Sequence, residues 1–117
     1  MNNWKPILTE QDVLDIIEKS TEKPQILFKD SLTCGISAFA KERLMNDNAI
    51  LADIADFNYL DLLAHRDISA FIASKLDVIH QSPQIIVVMD KKVVFRDSHH
   101  SIDAKKIRDQ INLNIIS

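Results

Sequence analysis

Glycine and cysteine are nearly missing from this chain, which has one of each, Gly35 and Cys34, among its 117 residues. A single glycine excludes the P-loop and the glycine-rich dinucleotide fingerprint, because both motifs need several glycines at fixed spacings. A single cysteine excludes an internal disulfide and a cysteine-rich metal site. The chain therefore carries one thiol, placed directly beside its one glycine.

Long apolar runs and an excess of charge are missing as well. The longest purely apolar run, residues 85–89, is far shorter than the roughly 20 residues that cross a membrane, and residues 1–6 lack the pattern of a secretory signal. With 14 basic and 17 acidic residues the net charge is -3, and no dense basic run suits nucleic acid. We therefore expect a cytoplasmic protein, folded as a single domain over residues 1–117, with no membrane or nucleic-acid partner.

Apolar periodicity predicts a chain of alternating helices and strands. The predicted elements are a helix over 9–20, a strand over 25–29, a helix over 36–46, a strand over 57–63, a helix over 68–76, strands over 85–89 and 93–95, and a closing helix over 102–115. A right-handed βαβ crossover makes the first two strands parallel neighbours, and the later hairpin completes the same sheet. This order predicts an α/β thioredoxin-like fold, with a four-stranded mixed sheet, helices on both faces and an extra N-terminal helix.

Cys34 follows the first predicted strand and opens the helix behind it. The unpaired N–H groups and positive dipole end of a helix N-terminus favour thiolate over thiol, and the thiolate is the species that attacks disulfides. Ser37, one helical turn further on, is placed to donate a hydrogen bond to the sulfur, and Gly35 leaves room for a disulfide partner. The alternative is that Cys34 is a small buried hydrophobe.

Two further segments are predicted to approach the thiol. Ser82-Pro83 stands directly before the strand over 85–89, which should lie antiparallel beside the strand over 25–29, so Pro83 is expected near Cys34. The run from Ser98 to Ser101 precedes the closing helix and contains two histidines. It is either a polar helix cap or a site for a carboxylate or phosphate.

Arg66 lies at the opening of the third predicted helix, just before its apolar positions over 68–76, and a solvated charge is the simplest interpretation. Adjacent histidines do not point the same way easily, and His65 and His80 sit on separate segments. The chain has no ligand spacing of the known metal sites, so no metal site is predicted.

Residues 32–37 read Leu-Thr-Cys-Gly-Ile-Ser, residues 82–84 read Ser-Pro-Gln, and residues 95–99 read Phe-Arg-Asp-Ser-His. In these motifs the chain resembles the monothiol bacilliredoxin family, thioredoxin-fold proteins linked to the bacillithiol redox system, over residues 8–111. The family's usual motif is Thr-Cys-Pro-Ile-Ser, so Gly35 stands where a proline is usual and makes the helix start less rigid. The resemblance implies that Cys34 is the redox residue and that Pro83 is cis and faces it.

The resemblance further implies a monothiol thiol–disulfide oxidoreductase that removes low-molecular-weight thiols, such as bacillithiol, from S-thiolated client proteins through Cys34. Ser37 and Pro83 would assist the thiol, and the expected substrate contacts are Thr33, Gly35, Ser82, Arg66, His99, His100 and Ser101. No resident cofactor is expected, because the small thiol is a co-substrate. Cys-Gly-Ile-Ser is also similar to the Cys-Gly-Phe-Ser of monothiol glutaredoxins, so an iron–sulfur cluster binding module is one alternative. A non-catalytic thioredoxin-fold stress or interaction protein is the other.

Overall fold

The computed structural model describes residues 4–30, 54–79, 84–98 and 104–116. Its strands and helices, in chain order, are β1 (Trp4–Pro6), α1 (Glu10–Lys19), β2 (Gln25–Asp30), β3 (Asp56–Asp61), α2 (Arg66–Leu76), β4 (Gln84–Met89), β5 (Lys92–Ser98) and α3 (Ala104–Ile116). The predicted helix over 36–46 lies outside the described residues. In the described ranges no helix is long and apolar enough to cross a membrane.

The strands form one mixed sheet in the order β1-β3-β2-β4-β5. β2 lies at its centre, parallel to β3 and antiparallel to β4. These pairings confirm that the first two predicted strands are parallel neighbours and that the predicted hairpin continues the same sheet. β5 continues the sheet as the antiparallel partner of β4.

The predicted count of four strands is wrong, because β1 adds a fifth strand at the edge beside β3. Trp4 pairs with Phe57 and Pro6 with Tyr59 in a parallel register. Three residues that end in proline are too short to show a two-residue period, and proline is tolerated at a sheet edge. The helix after Thr9 is present, but it follows β1 and connects it to β2. It is therefore part of the alternating β/α pattern and not an extra N-terminal helix.

Helices cover both faces of the sheet, as predicted. Successive residues of β2 and β4 point to opposite faces, which divides the core into two clusters. The cluster beneath α3 contains Ile26, Phe28, Phe57, Ile85, Val87, Ile107 and Ile111. The cluster beneath α1 and α2 contains Val13, Ile16, Leu27, Leu60, Ile68, Ile72, Ile86 and Val88.

A polar network at the start of β2 and β3 helps to fix their register. Gln25 Nε2 donates to the carboxylate of Asp56 at 2.8 Å, and the buried Asn58 donates to Gln25 Oε1 at 3.2 Å. Burial alone would raise the pKa of the Asp56 carboxyl, but the hydrogen bonds from Gln25 and Lys23 and the charges of Lys23 and Lys5 hold this pKa below its usual value. A shift of one residue would break these contacts.

The β4–β5 hairpin turns through Asp90 and Lys91, whose φ angles are 53° and 66°. Two consecutive residues with positive φ are typical of the type I′ turn, which matches the twist of the strands. Ser20 at the end of α1 holds this turn. Its carbonyl oxygen accepts from the N–H of Asp90 at 2.8 Å, and its hydroxyl oxygen accepts from the N–H of Lys91 at 2.9 Å.

Lys91→Gly is expected to raise the free energy of unfolding by about 0.5–1 kcal/mol, because glycine adopts a positive φ without the steric cost of a side chain. The exposed ion pair of Lys91 with Glu18, at 3.3 Å, contributes little against this gain. Urea denaturation measures the difference. Lys92→Gly, one residue later in β5, is the matched control and should destabilise the protein. Equal losses in both variants would contradict the assignment of the turn.

Candidate functional site

The ends of four strands lie side by side and form one edge of the sheet, perpendicular to the strands. β2 ends at Asp30, which pairs with Asp61 at the end of β3. Lys29 pairs with Gln84, the first residue of β4, and Gln84 pairs with Ser98, the last residue of β5. Three segments therefore attach to neighbouring strands at this edge. They are the segment after β2, the segment before β4 and the segment after β5.

Those segments carry every predicted site residue except Arg66. Thr33, Cys34, Gly35, Ser37, Ser82, Pro83, His99, His100 and Ser101 lie outside the described residues. Within the described part of the chain, the structure shows where the flanking strands end. Neighbouring strands lie about 4.8 Å apart, so the three attachment points span about 10 Å of this edge.

Arg66 is the predicted site residue that the structure describes. It is exposed at the first position of α2, where with Leu62, Ser69 and Ala70 it lines a cavity of about 530 Å³. The N-cap of α2, His65, makes no side-chain capping hydrogen bond. A guanidinium beside the first turn of a helix can hold a carboxylate at this cavity.

Lys29 places a charged side chain in the interior of the same edge. The residue is 0% exposed, and its Nζ donates to the carbonyl oxygen of Ser69, in the first turn of α2, at 3.3 Å. Burial lowers the pKa of Lys29 to about 8, because the charged amine loses its hydration. Near pH 7 the amine is still mostly protonated. A buried positive charge therefore lies near the end of β2, the strand that precedes Cys34 in the sequence.

Gln84 is the second buried polar residue at this edge. Its Nε2 donates to the carbonyl oxygen of Ile79 at 2.9 Å, whereas its Oε1 is buried and has no hydrogen-bond partner among the described residues. Because Gln84 and Lys29 are paired across two antiparallel strands, their side chains leave the same face of the sheet, with Cβ atoms about 5 Å apart. An unused acceptor therefore lies beside a buried donor.

Neither Lys29 nor Gln84 is among the site residues predicted from the sequence. The signal for Lys29 was present, because it ends the run over 25–29, which was predicted to be a strand of a sheet with helices on both faces. A lysine in such a run must itself be buried. No comparable signal marks Gln84, since a polar residue at the start of a strand is ordinary. Among the described residues, no group of histidines, cysteines and carboxylates could hold a metal ion.

A sequence profile described as "Monothiol bacilliredoxin BrxC" matches residues 5–107. The chain belongs to the monothiol bacilliredoxin family. This membership and the fold support a role as a redox thiol oxidoreductase. No curated protein matched the chain in a separate sequence search.

Solved structures resemble the chain over nearly its whole length. One, described as an "oxidoreductase with a thioredoxin fold", is 28% identical, has a TM-score of 0.80, and aligns with 93% of this chain and 94% of its own. The thioredoxin of Fasciola hepatica is 18% identical, with a TM-score of 0.69 over 93% of this chain and 97% of its own. The thioredoxin of Trypanosoma brucei brucei is 15% identical, with a TM-score of 0.71 over 96% and 90%. These likenesses establish the thioredoxin fold of this bacilliredoxin-family chain.

The lowered pKa of Lys29 predicts a pH dependence of stability. Between about pH 8 and about pH 10.5 the unfolded chain holds a proton at this lysine that the folded chain has released. The free energy of unfolding of the wild type should therefore rise with pH relative to Lys29→Met, by roughly 2 kcal/mol between about pH 7 and about pH 9.5.

Urea denaturation of both proteins at the two pH values measures this change. Lys75→Met, which removes an exposed lysine of α2, is the control and should track the wild type at both pH values. If the difference in free energy of unfolding between the wild type and Lys29→Met stays constant with pH, the result would contradict the burial of this amine.

Proposed function

We propose that the chain is a monothiol thiol–disulfide oxidoreductase that removes low-molecular-weight thiols, bacillithiol among them, from protein mixed disulfides through Cys34. The observation that carries the proposal is the family match over residues 5–107, a range that contains the chain's only cysteine. Cys34 comes four residues after the end of β2, the central strand of the sheet.

The reaction moves one disulfide bond. The thiolate of Cys34 attacks the sulfur of the small thiol, a new bond forms between these two sulfurs, and the bond to the client protein breaks. The client leaves as a thiolate and takes a proton from solvent. Since the chain has no second cysteine, a free small thiol then attacks the adduct, which releases a small-molecule disulfide and restores Cys34.

Residues around Cys34 have separate roles in this proposal. Ser37 donates a hydrogen bond to the thiolate, and Thr33 and Gly35 border the approach of the mixed disulfide. Pro83, cis by resemblance to the family, shapes the substrate groove. The pairing of Gln84 with Lys29 supports this role, because Gln84 directly follows Pro83 and Lys29 lies on the strand that leads to Cys34.

An anionic small thiol also needs cations that hold its acidic end. His99, His100 and Ser101 lie between the end of β5 and the start of α3, where free helix N–H groups favour carboxylates. Arg66 adds a guanidinium at the cavity beside α2. Cytoplasmic client proteins are the proposed substrates, since free thiols are kept reduced in that compartment.

Incubation with oxidised small thiols should produce a one-to-one adduct on Cys34. Intact-mass spectrometry after reaction with oxidised bacillithiol or oxidised glutathione measures it, and Cys34→Ser is the matched control. The proposal predicts an adduct on the wild type, formed faster with bacillithiol, and none on the variant. A wild-type chain that gains no mass with either disulfide would refute the proposed chemistry.

Replacing His99 and His100 together by alanine should slow adduct formation about tenfold at sub-saturating thiol, because charge-assisted hydrogen bonds to a carboxylate are lost. The pKa of the Cys34 thiol should stay unchanged, since these residues act on binding. His65→Ala controls for the loss of a histidine elsewhere and should react at the wild-type rate. If the double variant also reacts at that rate, the histidines only cap the helix.

A further inference from the structure

A groove of about 370 Å³ lies between the C-terminal end of α2 and the β4–β5 hairpin. It shares none of its described lining residues with the cavity that Arg66 lines. The function proposed above uses no side chain of this groove. The described residues that line it are Lys75, Leu76 and Asp77 at the end of α2, Lys91 and Lys92 at the turn, and Val93 and Arg96 on β5.

A β-bulge brings Arg96 to this groove. Val88 pairs with Val93 and Ile86 pairs with Arg96, so a step of two residues on β4 matches a step of three on β5. Ile86 and Val88 both belong to the cluster beneath α1 and α2, and cross-strand partners leave the same face of a sheet. In a regular strand, residues three positions apart point to opposite faces. The extra residue in β5 therefore places Val93 and Arg96 together on the face that α2 covers.

Positive charge dominates the groove. Four of its seven described lining residues are cationic, and Asp77 is the one carboxylate among them, although the whole chain has a net charge of -3. Lys91 has an exposed ion pair with Glu18 at 3.3 Å. Within the described ranges, the other cations of the groove have no ion pair within 4.0 Å; they are Lys75, Lys92 and Arg96.

Ordinary structural roles explain only part of this cluster. A lysine in the last turn of a helix is stabilised by the helix dipole, which accounts for Lys75. A lysine on an edge strand discourages pairing with another sheet, which accounts for Lys92. Neither role explains why a bulge brings Arg96 to the same groove. Leu76 and Val93 are only partly buried against the core, so the groove also has apolar surface between its cations.

We propose that this groove binds an extended acidic segment of a partner protein. Its cations come from three separate parts of the fold, namely the end of α2, the turn and β5, and they do not surround one point as a site for a single phosphate would. From Lys92 to Arg96 the groove follows β5 for roughly 12 Å, which about four residues of an extended peptide would span. Carboxylates of that peptide would pair with the cations, and an apolar side chain would cover Leu76 and Val93. This binding goes beyond the proposed function and does not require Cys34.

Fluorescence anisotropy of a labelled acidic peptide tests the proposal. The probe has about eight residues, glutamate and aspartate on either side of a central leucine, and the same peptide with glutamine and asparagine is its neutral counterpart. The wild type should bind the acidic peptide and not the neutral one, and added salt should weaken the binding. The double variant Lys92→Gln with Arg96→Gln should bind it about five- to tenfold more weakly.

The matched control is Lys5→Gln with Lys105→Gln, which removes the same charge from exposed positions on β1 and α3. Its affinity for the peptide should stay within about twofold of the wild type. Asp77→Asn should bind the peptide about two- to threefold more tightly, because it removes the carboxylate of the groove. Asparagine tolerates the φ angle of 53° at this position, so the backbone should be unchanged.

Equal weakening in the two double variants would overturn the proposal, because net charge alone would then explain binding. Tighter binding of a single-stranded DNA of the same charge, lost in the groove variant, would identify a nucleic-acid site instead. A dimer of the wild type in sedimentation velocity that the groove variant dissociates would identify a second copy of the chain as the occupant. Circular dichroism checks that each variant is folded, and Arg96→Gln alone replaces the double variant if that one is not.

Discussion

The pairing of β2 with β3 on one side and β4 on the other is the constraint on which the rest of the structure depends. Because side chains alternate along a strand, a slip of one residue would move Phe28 from the cluster beneath α3 to the opposite face. The same register pairs Lys29 with Gln84 and, through Gln84, brings Ser98 to the same edge. The core and the candidate site therefore follow from one set of hydrogen bonds.

The register also explains why a charged residue can be retained inside a small protein. Lys29 is buried one residue before the end of β2, where the first turn of α2 supplies an acceptor. One residue earlier, Phe28 packs edge-on against Tyr59, with ring centroids 6.2 Å apart. The buried charge costs stability, because the ammonium group loses its hydration.

Much of the fold could be predicted because its apolar periods are long and clear. The central strand, its parallel and antiparallel neighbours, and the helices on both faces follow from such periods. β1 could not be predicted, since a strand of three residues ending in Pro6 has no period and is defined only by its pairing with β3. The place of Lys29 in a predicted strand could be read from the sequence. Its lack of a counter-charge could not, because only the fold shows that no carboxylate from the described strands and helices reaches it. That Gln84 Oε1 has no partner in the described part of the chain is likewise a property of three-dimensional packing.

The central claim is that Cys34 takes a small thiol from a client protein at the edge where β2 ends. Its most direct test mixes a client protein that carries one bacillithiol mixed disulfide with an equimolar amount of the reduced chain and follows both by intact mass. The account predicts that the client loses the small thiol while the chain gains the same mass on Cys34, and that Cys34→Ser removes none. A client that keeps its small thiol in the presence of the folded, reduced wild-type chain would contradict the account.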